Sequence, residues 1–397
     1  MTDSGVKIRL FGRTDVGQIR EHNEDNFLVA DLTRKTRSLM EGDREQLVAE
    51  RGTVMGVCDG MGGAAAGEVA SQLAVDIIYE KLASAEPPKS HDDLARRLVH
   101  AVEEAGIRIF NEARADRTRR GMGTTSTIAT LLDSRLFVAQ VGDSRAYILR
   151  NGKLTQVSRD QSLVNQLIEA GQLTEEEAET FEHNNIILQA LGTAETVQVD
   201  LTYVDLRKGD RLMLCSDGLS GMVRADEIRE VLSAMRDPFD ACKELTDRAN
   251  RAGGHDNITV IVAEFDGVAL KEPTPEELVS YQKYALPEAP VEMTVRAVAA
   301  PADPPSSPEP SLEGQRESRR LRVGHTMVGA QMPASLAAMA AAPSAGGVPK
   351  SSLPPPVFNL DNEPVQIPTT GLPPSIVGIM VLSAMLVVAF VGYLLVR

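Results

Sequence analysis

The chain has 397 residues, 43% of them apolar, and a net charge of −15. That length accommodates one large domain with appendages, and that charge argues against nucleic acid as the main partner while agreeing with many metal-binding carboxylates. The three cysteines, Cys58, Cys215 and Cys242, are scattered without a C-x-x-C pair, so Cys58 and Cys215, in apolar runs, read as small core residues rather than ligands or disulfide partners.

Taken in order, the apolar pattern predicts an opening strand over Lys7–Phe11, with Asn26–Ala30 as its partner, then a polar loop over residues 31–51. Val54–Cys58 reads as a buried strand that ends on Asp59. Four glycines follow (Gly60, Gly62, Gly63, Gly67), then a helix over Ala65–Leu82. Leu94, Leu98, Ala101, Ala105 and Ile109 recur at helical spacing and predict a second helix over 91–115. Strands return at Thr124–Leu132, Leu136–Val141 and Ala146–Leu149, with Asp-Ser and Gly-Asp turns between them. Ser162–Glu182 reads as a polar helix, Val197–Tyr203 as a half-buried strand and Arg211–Cys215 as a short apolar one. Two helices, Glu227–Leu232 and Phe239–Ala252, precede a last strand over Ile258–Ala263. Strands that cluster in this way favour α+β with antiparallel sheets over a doubly wound parallel sheet.

Composition changes beyond Phe265, where 19 of the 22 prolines lie. Residues 1–267 are therefore expected to form the folded domain and 268–375 a Pro/Ala-rich disordered linker. Ile376–Val396 is apolar and uncharged, about the length of a membrane-spanning helix. The N-terminus, MTDSGVKIRL, lacks the apolar core of a signal peptide. Together these lead to the expectation of a C-terminal anchor in the cytoplasmic (inner) membrane, with the folded domain in the cytoplasm.

Two chemistries compete for the stretch around Asp59. Gly60-x-Gly62-x-x-Ala65, after a strand and before a helix, fits a dinucleotide-binding turn. That reading sets a carboxylate against a pyrophosphate and lacks an acidic residue at the end of a second strand. The other makes Asp59 a hard oxygen ligand for a metal, and it needs more carboxylates. Asp25, Asp143, Asp217 and Asp256 supply them, each at a strand edge. Any one of them is an ordinary turn residue. Their recurrence on successive strand ends suits Mg2+ or Mn2+, which take oxygen ligands, and not zinc.

The stretches TDVGQIREHNEDNF, VCDGMGGAAAGEVAS, GMGTTSTIATL, VGDSRAYILRNGKLTQVSRDQS, LMLCSDGLSGMV and GGHDNITVIV carry a resemblance. Over roughly residues 6–266 the chain resembles the protein phosphatase 2C family in its bacterial form. The resemblance implies a sandwich of two antiparallel sheets with helices on both outer faces and the metal centre at one end. It implies Mn2+- or Mg2+-dependent hydrolysis of phosphoserine and phosphothreonine in proteins, serine/threonine kinases among them, by a water that bridges two metals.

By that resemblance Asp59 bridges the two ions and the Gly60 carbonyl is a ligand. Asp217 and Asp256 complete the first site, and Glu24 and Asp25 hold waters or sit behind the ligands. Asp143 with Asp217 matches a third-metal position, and Arg20 matches the phosphate-binding arginine. Two departures stand out: Ala64 and Gln161 occupy positions where bacterial members usually carry histidine.

Overall fold

A computed structural model of the chain describes residues 5–37, 45–63, 66–179, 181, 185–280 and 282–287. Two antiparallel sheets lie face to face. The six-stranded sheet runs Lys153–Gln156, Arg145–Arg150, Arg211–Cys215, Ile258–Asp266, Lys7–Asp15, Glu45–Leu47. The seven-stranded sheet runs Gln282–Lys283, Asp200–Asp205, Arg135–Val141, Ser126–Leu132, Thr53–Cys58, Asn26–Asp31, Thr36–Arg37. A two-stranded ribbon, Gly60–Met61 with Gly123–Thr124, stands apart from both.

The two-residue period of a strand explains the layers. Met55, Val57, Ala129, Leu131 and Val138 of one sheet face Ile8, Leu10, Ile148, Leu212 and Ile261 of the other, and form the core between them. Their alternates Val54, Cys58, Ile128, Phe137 and Ala139 point outward under the helices Ala66–Ser84 and His91–Ala115. On the opposite face Tyr147, Met213, Val260 and Val262 meet Ala225–Ala234 and Pro238–Arg251. Both faces of the central strands are thus buried, which is why they read as continuous apolar runs.

Helix ends follow local chemistry. Ser90 caps His91–Ala115 by accepting from the Asp93 N–H at 3.1 Å. Pro238 opens Pro238–Arg251 behind the cap Asp237.

Several sequence expectations need correction. Lys7–Asp15 does not pair with Asn26–Asp31: it pairs with Ile258–Asp266, and Asn26–Asp31 lies in the other sheet against Thr53–Cys58. The chain from Val16 to Asp25 therefore crosses from one sheet to the other at the end of the sandwich. The helix expected over Ser162–Glu182 is two short ones, Leu163–Glu169 and Glu175–Glu179. Gly171 breaks it at φ +68, and Thr174 with Glu177 forms a capping box, Thr174 N to Glu177 Oε2 at 2.9 Å and Glu177 N to Thr174 Oγ1 at 3.2 Å.

Packed structure also continues past residue 267. Leu270 and Val279 are buried in the core between the sheets, and Tyr284 packs edge-on against Phe137 at 5.1 Å and Tyr203 at 5.4 Å.

The expected membrane helix is not found among the described residues. No helix among the described residues is long and apolar enough to cross a bilayer, and Ile376–Val396 lies outside those residues, as does the expected linker beyond residue 287. Among the described residues the fold is a mixed α+β one, with no transmembrane helix.

Candidate metal centre

Strand ends converge at the end of the sandwich where the Val16–Asp25 segment crosses. Asp25 stands just before one strand, Asp59 just after another, Asp143 in the turn between Val141 and Arg145, Asp217 after Cys215 and Asp256 before Ile258. Antiparallel pairing of those strands brings five aspartates, far apart in sequence, to one place.

The crossing segment is pinned by a single buried amide. Asn257 Nδ2 donates to the Val16 and His22 carbonyls at 3.0 and 2.9 Å, and its Oδ1 accepts from the Glu24 N–H at 2.8 Å. Gly17 lies so close to the Asp256 carbonyl that a Cβ there would sit 2.3 Å from it, and at φ +80 few other residues would be at ease. Arg20 is thereby aimed at the cluster, with Nη2 2.7 Å from Asp256 Oδ2 and half of its side chain exposed.

Asp25 is held by its carboxylate and Asp59 by its backbone. Ser216 Oγ donates to Asp25 Oδ2 at 2.8 Å and accepts from the Thr259 N–H at 3.0 Å. Asp59 N donates to Thr125 Oγ1 at 2.9 Å, and the Asp59 carbonyl accepts from Thr125 N and Thr124 Oγ1, both at 2.8 Å. Glu24 is wedged against the glycines. A Cβ on Gly67 would lie 2.0 Å from Glu24 Oε2, and one on Gly60 2.3 Å from the Gly67 carbonyl. These glycines serve close packing, and the neighbours of Thr53–Cys58 are antiparallel, so the dinucleotide reading, which needs a parallel βαβ unit, fails.

Electrostatics follow from crowding. Burial, then the negative charges of Asp217 and Asp256, push the Asp25 carboxyl up to about 8. Burial and the Asp217 charge push Asp143 up to about 7. Asp59 and Asp217 are also raised, first by burial, and the neighbouring carboxylates add to the shift. Glu24 is raised by burial. Like charges brought together out of water cannot all ionise.

Among the described residues no three His, Cys, Asp or Glu side chains already stand as a closed ligand cage. The carboxyls instead engage one another and Arg20. The donor set nonetheless fits a hard divalent cation, being all oxygen. Moreover, Asp25 Oδ1, Asp143 Oδ1 and Asp217 Oδ1 are buried without any hydrogen-bond partner. Buried oxygens of this kind are costly unless something positive meets them.

His22 and His255 lie at the surface. Ala64 is outside the described residues. Three supporting residues escaped sequence reasoning: Asn257, Ser216 and Thr125. They carry no charge, and only their partners reveal them.

Comparison with known proteins agrees with this geometry. Residues 38–253, more than half of the chain, match the protein phosphatase 2C family. The chain is 36% identical over 254 residues to a serine/threonine phosphatase of Listeria monocytogenes, which covers 64% of this chain and 94% of the relative. It is 38% identical over 231 residues to the serine/threonine protein phosphatase PstP of Mycobacterium tuberculosis, covering 58% of this chain and 44% of that protein. The crystal structure of the Mycobacterium tuberculosis phosphatase superposes with a TM-score of 0.56 at 35% identity, covering 66% of this chain and 99% of that one. A structure of the PstP catalytic domain in complex with two manganese ions superposes with a TM-score of 0.55 at 34% identity, covering 66% and 99%. The chain therefore belongs to the protein phosphatase 2C family and is a serine/threonine protein phosphatase.

Proposed function

We propose that the chain hydrolyses phosphoserine and phosphothreonine in proteins by direct attack of water, with Mn2+ or Mg2+ held by Asp59, the Gly60 carbonyl, Asp217 and Asp256. In this reading Glu24 and Asp25 hold waters, and Asp143 with Asp217 holds a further ion. When bound, the cations lower the pKa of water and neutralise charge on the phosphoryl group.

The chain's own residues do the rest. Asp59 is held by its backbone through Thr124 and Thr125, so its carboxylate keeps one aim. Arg20, half exposed beside Asp256, grips phosphoryl oxygens through its planar fork. Neither the three thiols nor the Ser216 hydroxyl is prepared as a nucleophile. Burial pushes the thiols of Cys58, Cys215 and Cys242 up to about 12, and Ser216 Oγ is committed to Asp25 and Thr259.

The observation that carries the reading is the set of three buried carboxylate oxygens, from Asp25, Asp143 and Asp217, that have no donor. Substrates are proteins phosphorylated by serine/threonine kinases, and the kinases themselves. The experiment is hydrolysis of a phosphothreonine peptide and an autophosphorylated kinase domain after metal stripping, with Mn2+, Mg2+ or excess EDTA. Turnover should appear only with added metal, and equal turnover in EDTA would sink the proposal.

A further inference from the structure

Among the described residues no other residue donates to the Asp143 carboxylate, and its Oδ1 is buried without a partner. Its aim must come from its own backbone, the Gly142–Ser144 turn. Two buried glutamines grip that turn. Gln140 Nε2 donates to both carbonyls that flank Asp143, Gly142 O at 3.1 Å and Ser144 O at 2.7 Å. Its Oε1 accepts from Thr127 Oγ1 at 2.8 Å. The two carbonyls fix the amide's orientation, since a flipped amide would set Oε1 against both.

From the other side Gln161 Oε1 accepts from the Gly142 N–H at 3.1 Å, and the Gln161 N–H donates to Gly142 O at 2.8 Å. Gln161 Nε2 is anchored on the Gln198 carbonyl at 3.1 Å. Gln140 is 1% exposed and Gln161 6%.

The turn is also pressed against the element that holds Asp59. A Cβ on Gly142, at φ +99, would lie 2.7 Å from Thr125 Cγ2. Thr125 Oγ1 takes the Asp59 N–H and shares a hydrogen with Ser144 Oγ at 2.8 Å. One buried polar unit thus joins Asp59, the Asp143 turn and both glutamines. Gln161 stands where, by the resemblance, bacterial members usually carry histidine.

We propose that Gln140 and Gln161 are positioning residues that clasp the Gly142–Ser144 turn and hold the Asp143 carboxylate in place for a divalent cation. This rests on Asp143 being a ligand. Residues that orient a metal ligand typically change metal affinity about 10- to 100-fold when removed.

The test is Mn2+ binding to the full chain, followed by electron paramagnetic resonance, with melting curves recorded in parallel. The wild type, D143N, Q140L, Q161L and Q161H are compared. D143N should lose a Mn2+ site, and Q140L and Q161L should weaken that same site about tenfold or more. Q161H should keep most of the affinity, because a neutral imidazole nitrogen can accept the Gly142 N–H. If Q140L does not fold, the two Gln161 variants decide. Wild-type affinity in the leucine variants, even with a lowered Tm, would overturn the clasp, leaving a purely structural role. A wild type that binds no Mn2+ would overturn the functional reading instead, and D143N with every site intact would remove Asp143 and the clasp together.

Discussion

Asp59 and Asp217 are both raised, first by burial, and a cation between them would relieve the crowding of their charges. An amide in place of either carboxylate keeps the shape but halves the oxygen donors and removes a charge. We expect Asp59→Asn and Asp217→Asn each to lower kcat at least about 100-fold, the scale of losing one well-placed electrostatic group in a transition state. Near-normal turnover in either variant would refute the ligand assignment. Arg20 makes a different contribution. Its half-exposed ion pair with Asp256 adds little to stability, while its guanidinium is available to the ground-state phosphate ester. Arg20→Ala should therefore raise KM for a phosphopeptide more than it lowers kcat, and steady-state kinetics with an unchanged KM would exclude that role.

At the scale of elements, the stretch after Asp266 acts as a strap. It leaves one sheet, buries Leu270 and Val279 between the two, and adds Gln282–Lys283 to the edge strand Asp200–Asp205. Glu277 ties it down through Arg207 at 2.8 Å and Arg150 at 3.4 Å. Arg150 is itself locked to Asp210 in a buried bidentate pair, at 2.6 and 2.8 Å. Burying one aliphatic side chain contributes about 1.5–3 kcal/mol, so Leu270 and Val279 alone outweigh the surface pairs. A chain cut after residue 267 should melt at least about 5 °C below one cut after residue 287, taking roughly 2–4 °C per kcal/mol for a domain of this size. Equal melting temperatures by calorimetry would mean that the strap rests on the sandwich without stabilising it.

For the whole molecule, the carboxylate cluster sets how stability depends on pH. Asp25 and Asp143 are pushed up to about 8 and about 7, whereas an unfolded aspartate titrates near ~3.9. The folded chain therefore holds protons that the unfolded chain has released, and stability falls as pH rises between those values. Carboxylates lowered by their partners, such as Asp15, Asp93 and Glu169, act oppositely, but only below about pH 5. EDTA-stripped protein should then melt lower at pH 8.5 than at pH 5.5. Mn2+ should narrow that difference, since binding at 100 times Kd adds about 2.7 kcal/mol. A stripped protein that melts higher at pH 8.5 would contradict the crowded cluster.

What the sequence determined by itself was local or chemical. The continuous apolar runs of Val54–Cys58 and Arg211–Cys215, the helical period of His91–Ala115 and the oxygen-only donor set of Asp25, Asp59, Asp143, Asp217 and Asp256 are properties of the residues themselves. Some local signals went unread, though present: Asn151-Gly152, whose positive φ values of 51° and 73° turn Arg145–Arg150 back into Lys153–Gln156, and the Thr174–Glu177 box. The tertiary structure decided what no local pattern encodes. Strand partners are chosen by packing across the whole sandwich, so Lys7–Asp15 pairs with the last strand of its sheet rather than with its neighbour in sequence, and the segment carrying Arg20 and Glu24 is drawn across the open end. The roles of Asn257, Ser216, Thr125, Gln140 and Gln161 belong to the same class, because an uncharged side chain acquires a function only from the partner that long-range folding places within about 3 Å of it.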